Sequence, residues 1–349
     1  MATLFLALLT ALVALLCCVF IIRRAHKWDL IDKPNYRSSH TSPTPSGGGI
    51  SLVVAGSLAG IYLLAAYRPF RYGFVVLVIS CILALVGLKD DRNPMPARWR
   101  LGIQVVMGAT LLFVLGGLPE MQRFVNAWFS RTLIYAFLLL VIVWWINLFN
   151  FMDGIDGLAA MQTIFMLLGG VAILVLLRRD VIADPIIIWM LCVAGGTAGF
   201  MLLNWAPAKI FMGDVGSIYL AFMLLSFGLL TIRNIMVPVA TGLSMWAILG
   251  ATFATDATIT LITRMLTNKR WHEAHRTHLY QRLARRFGSH SGVTLMYLAV
   301  NVLWLLPIAF LCTQIPQWAV ALAVFAYLPL IAVAITLGAG LSNEPCLDG

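Results

Sequence analysis

Eleven apolar runs of roughly 17 to 26 residues, at about 2–22, 47–66, 71–88, 101–117, 132–149, 157–177, 186–203, 214–230, 237–262, 291–311 and 318–338, occupy most of the chain. A helix of about 20 apolar residues spans the hydrocarbon core of a bilayer, because each residue adds 1.5 Å and the core is about 30 Å thick. The expected fold class is therefore all-α: a polytopic membrane protein of about eleven transmembrane helices, forming a single integral domain over residues 1–349. Composition agrees, with 61% hydrophobic and 11% charged residues and a mean hydropathy of +0.92; a soluble domain carries about 25% charged residues.

In such a chain a net charge of +10 is read as a topology signal and not as a nucleic-acid footprint. With the N-terminus outside, the inner loops are 23–46, 89–100, 150–156, 204–213, 263–290 and the C-terminal tail. They carry 17 of the 24 Lys and Arg residues. The positive-inside rule thus predicts a periplasmic N-terminus and a cytoplasmic C-terminus. All six His residues and eleven of the fourteen acids fall on the same inner side, which places the chemistry there. The first run, "MATLFLALLTALVALLCCVFII", has no basic residue before it and no Ala-x-Ala exit, so it is expected to be a spanning helix and not a cleaved signal. Cys17, Cys18, Cys81, Cys192, Cys312 and Cys346 form no CxxC pair, so disulfides and zinc are not expected.

The stretch "NLFNFMDGIDGLA" (147–159) places Asn150, Asp153 and Asp156 between two apolar runs. An ionised side chain at bilayer depth costs about 2.5–3.5 kcal/mol on the most lenient scale, so these residues need a reason beyond structure. Carboxylates recur at three more predicted inner helix ends: Asp90 and Asp91 in "VGLKDDRNP", Asp214 in "NWAPAKIFMGDVGS" with Asn204 and Lys209, and Asp256 in "ATFATDATITL". Adjacent acids repel, and a shared site in which one acts as base and the other anchors a cation accounts for Asp90-Asp91. Lys89 and Arg92 beside them allow the simpler reading of a solvated helix end. Asn150, Asp153 and Asp156 are three apart and share a face on a helical turn. Hard oxygen ligands without Cys or His favour Mg²⁺, with Mn²⁺ as its substitute. Mg²⁺ takes one or two protein ligands plus phosphate oxygens, which implies a phosphate-bearing substrate.

Two loops add cationic groups. In "LIDKPNYRSSHTSPTPSGGGI", Arg37, His40 and the amides around Gly47, Gly48 and Gly49 could hold an anion at a helix start. In "RMLTNKRWHEAHRTHLYQRLARRFGSH", His275 and His278 are three apart, with Arg276 and Arg282 nearby. They read either as a diphosphate clamp or as an interfacial amphipathic helix on anionic lipid.

Together "GLKDDR", "NLFNFMDGIDGLA", "AKIFMGDVGS" and "HRTHLYQRL", in this order, closely resemble the polyprenyl-phosphate N-acetylhexosamine-1-phosphate transferases. These membrane enzymes start O-antigen, common-antigen and teichoic-acid assembly and are relatives of the phospho-MurNAc-pentapeptide translocase. The resemblance runs from about residue 29 to 290, and the eleven-span pattern is similar to the O-antigen branch. It implies transfer of a sugar phosphate from a UDP-N-acetylhexosamine (UDP-GlcNAc, UDP-FucNAc or UDP-QuiNAc) to undecaprenyl phosphate, with release of UMP, in the bacterial inner membrane with the site facing the cytoplasm. Asp90 and Asp91 match the catalytic Asp pair, Asp214 and Asn150 the magnesium site, and Asp153, Asp156 and Asn204 positions lining the nucleotide-sugar pocket. Thr44, Pro45, Gly48 and Gly49 match a first-loop element, and His275 and His278 the outer positions of a His-rich motif, with Thr277 where several relatives have His. The translocase's lysines have no match, since Thr41 and Pro94 stand in their places.

The resemblance implies membrane lipid as a partner, no nucleic acid, and a homodimer as an open question. The rival class is a transporter or flippase using buried carboxylates. It predicts acids near mid-helix and often an internal repeat, whereas these acids gather at helix ends and no repeat is detectable. A lipid-headgroup binding protein without turnover would leave the hard-cation constellation without a purpose.

Overall fold

The computed structural model describes residues 1–28, 30–32, 43–67, 70–116, 128–235, 238–268 and 276–341. Among these residues the chain is almost wholly helical. Ten helices or helix pairs are long and apolar enough to cross a membrane, or eleven with one sharply bent pair counted as a span. The spans are α1 (Ala2–Arg24), α2 (Gly49–Ala66), α3 (Arg71–Arg92), α4 (Ala97–Leu115), α5 (Trp128–Phe151), α6 (Leu158–Leu177), α7 (Pro185–Asn204), α8 (Gly213–Asn234), the bent pair α9 (Val239–Leu249) and α10 (Ala251–Leu266), then, after the short α11 (Leu279–Phe287), α12 (His290–Val300) continuing into α13 (Leu306–Gln314), and α14 (Ala319–Thr336). A two-residue antiparallel bridge, β1 (Ile31–Asp32) with β2 (Thr44–Pro45), pairs Ile31 with Pro45 and Asp32 with Thr44. Among the described residues the architecture is all-α with ten or eleven candidate spans, in line with the expected polytopic fold.

α8 is the hub, buried along nearly its whole length against α2, α3 and α5. Gly49 and Gly216 permit its closest crossing. A Cβ on Gly216 would stand 2.7 Å from the Gly49 Cα, and one on Gly49 would stand 2.8 Å from the Met212 carbonyl oxygen. Both are closer than packed carbon atoms tolerate, so α2 and α8 meet backbone to backbone only because neither position has a side chain.

The ninth span departs from the single long helix that hydropathy suggests. α9 and α10 meet at Gly250 with a bend of 74°. A bend releases backbone carbonyls that a low-dielectric interior must satisfy. Here the Gln162 side-chain amide of α6 donates to the Leu249 carbonyl at 3.0 Å. The Gln162 carbonyl accepts from the Asn301 amide at 2.7 Å, and the Thr252 hydroxyl donates to the Asn301 oxygen at 3.0 Å. Asn301 opens a π-helical turn, Asn301–Leu305, of the kind found where an α-helical ladder is interrupted. Pro307, which has no N–H to donate, follows directly. Three helices are thus stitched by one buried polar network at the bend.

Candidate active site

All the acidic helix ends of interest meet at one end of the bundle. α3 delivers Asp90 and Asp91 in its last turn, α5 carries Asn150 in its last turn, α8 begins at Gly213 and Asp214, and α4 brings Arg100 in its first turn. Asp91 Oδ1 accepts from the Asp214 N–H at 2.8 Å and its Oδ2 from the Val215 N–H at 3.1 Å. These are otherwise unsatisfied amides at a helix N-terminus, where the helix dipole also favours a negative charge. Gly213 has φ +72°, and a Cβ there would lie 2.7 Å from Asp91 Oδ2; glycine gives both the left-handed backbone and the room. The Asp pair therefore divides its work. Asp91 fixes the start of α8, while Asp90 accepts from the Met95 N–H at 2.6 Å and pairs with Arg100.

Asp214 is held more loosely. Its Oδ1 accepts from the Asn150 amide at 2.8 Å, and the same amide donates to Ser217 Oγ at 2.9 Å. Its Oδ2 lies 3.5 Å from Arg100 Nη1, so one guanidinium bridges Asp90 and Asp214. Arg100 carries no signal in the sequence reading beyond being a cation at a helix start ten residues after Asp90.

The 150–157 turn continues this end. Asp153 is half-buried there. Burial, then the charges of Asp214, Asp91 and Asp156, push its carboxyl well above the ordinary value of 3.8. Asp156 Oδ2 accepts from the Ala208 N–H at 3.1 Å and lies 3.3 Å from His290 Nδ1. Asn204 is 4% exposed, accepts from the Gly157 N–H at 3.1 Å and donates to the Ile210 carbonyl at 2.9 Å. Both ends of its amide engage backbone, so Asn204 ties two loops beneath the site.

The first-loop glycines also differ from expectation. The Gly48 N–H donates to the Phe211 carbonyl and the Gly49 N–H to the Met212 carbonyl, both at 2.8 Å, and Phe211 N–H returns a 2.8 Å bond to Pro45. These two amides clasp the loop before Asp214 and are not available as an anion cradle. Arg37, His40 and His275 lie outside the described residues.

On the other side of the turn stands α11. His278 is 4% exposed, with its Nδ1 3.5 Å from Asp256 Oδ1, and it stacks on Tyr280 with ring centroids 5.7 Å apart. Asp256, in α10, also accepts from the Leu279 N–H at 2.8 Å, the Tyr280 N–H at 2.9 Å and the Tyr297 hydroxyl at 2.7 Å. It caps the start of α11 from a distant helix. The Tyr280 hydroxyl donates to the Phe151 carbonyl at 2.9 Å, which fastens α11 to the end of α5. Arg276 lies just before α11 and its carbonyl accepts from Arg285 at 2.8 Å. Arg282, expected in a diphosphate clamp, instead donates to the Leu337 and Leu341 carbonyls at 3.1 and 2.7 Å, capping the end of α14.

A family model described as glycosyl transferase family 4 matches residues 73–232, the segment that contains Asp90, Asn150 and Asp214. The phospho-N-acetylmuramoyl-pentapeptide-transferase of Heliobacterium modesticaldum is 30% identical over 245 residues, covering 65% of this chain and 71% of that protein. The chain belongs to the polyprenyl-phosphate hexosamine-1-phosphate transferase family. It is also similar to a probable undecaprenyl-phosphate N-acetylglucosaminyl 1-phosphate transferase of Bacillus subtilis (strain 168), 29% identical over 308 residues, with 84% of this chain and 80% of that one covered. The decaprenyl-phosphate N-acetylglucosaminephosphotransferase of Mycobacterium leprae (strain TN) is 26% identical over 310 residues, covering 80% and 76%.

Membership in this transferase family poses the question of a divalent cation. Among the described residues no three His, Cys, Asp or Glu side chains form a ready-made metal site. The donor set nevertheless fits a hard cation that takes few protein ligands and completes its shell with phosphate oxygens and water. Asp90, Asp91, Asp153 and Asp214 gather with Arg100 bridging two of them, and burial, followed by the charges of Asp214, Asp91 and Asp156, raises Asp153. Such a surplus of negative charge is what a bound cation would neutralise.

Proposed function

We propose that this protein transfers an N-acetylhexosamine-1-phosphate from a UDP-sugar to undecaprenyl phosphate, releasing UMP, as the opening step of O-antigen or related surface-polysaccharide synthesis. The observation that carries the reading is the convergence of Asp90, Asp91, Asn150 and Asp214, from three helices, on one end of an apolar bundle. The names of its relatives support a polyprenyl-phosphate acceptor and an N-acetylglucosamine type of donor. UDP-GlcNAc, UDP-FucNAc and UDP-QuiNAc are the donors to compare.

Asp214 and Asn150 would hold Mg²⁺, which when bound offsets charge developing on the donor diphosphate. Arg100 offers a second positive group beside them, where an incoming lipid phosphate meets the donor. Asp90 orients that guanidinium and accepts the proton of an acceptor phosphate that arrives protonated. The acceptor oxygen attacks the β-phosphorus, the bond to the UMP oxygen breaks, and UMP carries away the electron pair. Asp91 is engaged by two amides and Asp90 by an amide and a guanidinium, an arrangement that favours direct displacement over an aspartyl-phosphate. Labelled UMP exchanging into donor without acceptor would point to the two-step route instead.

An apolar groove of about 240 Å³ gives the acceptor's tail a place. α5 lines it with Trp144, Trp145 and Leu148, the last lying two residues before Asn150, and α6, α8, α9, α10 and α14 supply the rest. The tail stays in hydrocarbon while the phosphate reaches the carboxylates. The positive-inside bias supports an orientation with this end at the cytoplasmic face of the inner membrane, where UDP-sugars are made.

Membranes containing the protein are incubated with radiolabelled UDP-sugar and Mg²⁺ and extracted with organic solvent. Label in the lipid phase for wild type, and none for Asp214→Asn at equal protein level, is the expected result. Equal labelling by both removes Asp214 from the site and the reading with it.

A further inference from the structure

The helix sequence "LYQRLARRF" places three arginines within five residues. Positions 279, 282, 283 and 286 share one face by their 3–4 spacing, so this face mixes Leu with Arg. Leu279, Tyr280, Leu283 and Ala284 are buried against the body of the protein, while the arginines reach outward from the same helix. A pocket of about 490 Å³ opens beside this helix, lined by Leu279, Arg282, Leu283, Arg285, Arg286 and Leu337. We propose that this pocket, between α11 and the end of α14, binds the phosphate headgroup of an anionic diacyl phospholipid.

Three observations select that ligand. Charge is the first. Among the described residues none of the three arginines has a carboxylate partner, and Arg285 and Arg286 are exposed. Partial burial, then the charges of Arg276 and Arg282, draw the Arg285 guanidinium down from its ordinary value, and a bound anion would offset that crowding. The rim is also preset. Arg282 is fixed by the Leu337 and Leu341 carbonyls and Arg285 by the Arg276 carbonyl, so little side-chain freedom remains to be lost on binding. The floor is the third. Leu337 caps α14, whose outward residues Leu328 and Ile335 are 57% and 61% exposed on the least buried of the described spans. The pocket therefore runs directly onto a surface built to face acyl chains, which a free phosphate or nucleotide would not use. The groove assigned above to the polyprenyl tail is lined by other residues, and the proposal stands whatever reaction the carboxylates perform.

The test is native mass spectrometry of the full-length protein released from micelles carrying phosphatidylglycerol or phosphatidylcholine. Wild type is expected to retain phosphatidylglycerol at least tenfold more tightly than phosphatidylcholine. In R285Q/R286Q that preference disappears, while melting temperature and transfer activity in phosphatidylcholine stay at the wild-type level. Arg282 is left in place because it caps α14. Should the double variant not fold, R286Q alone carries the test with an expected loss of about threefold. Equal retention of both lipids by wild type, or unchanged preference in the variant, overturns the proposal. So does displacement of phosphatidylglycerol by inorganic phosphate at equal concentration, which marks a free-anion site. Displacement by one equivalent of undecaprenyl phosphate marks an acceptor site and overturns it as well. A chain ending at Leu341 that binds phosphatidylglycerol tenfold more tightly gives the pocket to the acidic tail, with Glu344 and Asp348, and also sinks the proposal.

Discussion

Asp214 and Asp256 lie at neighbouring points of the same bundle and are opposites. Asp256 is 2% exposed, and two backbone amides, a tyrosine hydroxyl and a histidine all approach its carboxylate. Asp214 receives one amide and a distant guanidinium, with Asp90 and Asp91 beside it. A buried acid surrounded by donors makes structure, since every bond it accepts ties one segment to another. An acid crowded by acids keeps a place for something positive, and local strain of that kind is kept where a ligand repairs it.

The contrast breaks most visibly at Asp256. Its replacement by Ala strands two amides and the Tyr297 hydroxyl, and should destabilise the protein by about 3–5 kcal/mol. The measurement is denaturant unfolding in detergent; an unchanged midpoint would make Asp256 dispensable. Asp214→Asn should do the reverse, cutting transfer by about 10²–10³-fold with no loss of thermal stability, as read by solvent extraction and by melting. A variant that is inactive because it unfolds would erase the distinction between the two acids. Arg100→Gln is expected to lower transfer about ten- to a hundredfold, the worth of a bond between charged groups, and to alter the Mg²⁺ concentration needed for half-maximal rate. An unchanged Mg²⁺ dependence would mean that Arg100 does not share the site with the cation.

The smallest effect sharpens the electrostatic side. The Asp153 carboxyl is held above its ordinary value of 3.8, so the folded state favours its protonated form. That contribution is complete below the ordinary value and is lost as pH rises through the raised one. In EDTA, Asp153→Asn should therefore gain stability on wild type as pH increases, a gain read by melting temperature across a pH series. A gap that stays constant with pH would show that the neighbouring carboxylates do not press on Asp153.

The spans and their acidic ends were legible in the sequence because long apolar runs and polar residues between them are local signals. The inward and outward sides were not. α8 and α14 have mean hydropathies of 2.1 and 2.4 in their best windows, yet 94% of one window and 17% of the other is buried. An apolar side chain suits a protein interior and a lipid tail equally, so hydropathy cannot separate the two. Division of labour within the Asp pair was hidden for another reason. Asp91 meets the Asp214 and Val215 amides across a separation of more than 120 residues, and nothing near Asp91 announces it. The resemblance implied Asn204 at the donor pocket, and Arg282 read as a cation near the His275 and His278 clamp. Both bond to backbone groups supplied by other segments, which no local pattern announces. The bend at Gly250 left only a glycine as its local trace.

The crossing of Gly49 on Gly216 has a consequence for the chemistry above it. Two residues from Asp214, the hub helix leans on a fulcrum made of bare main chain. A single methyl group on either arm would act as a wedge, and the lever it moves carries the carboxylate at its tip. What positions that carboxylate is thus, in part, a pair of hydrogen atoms on another helix's path.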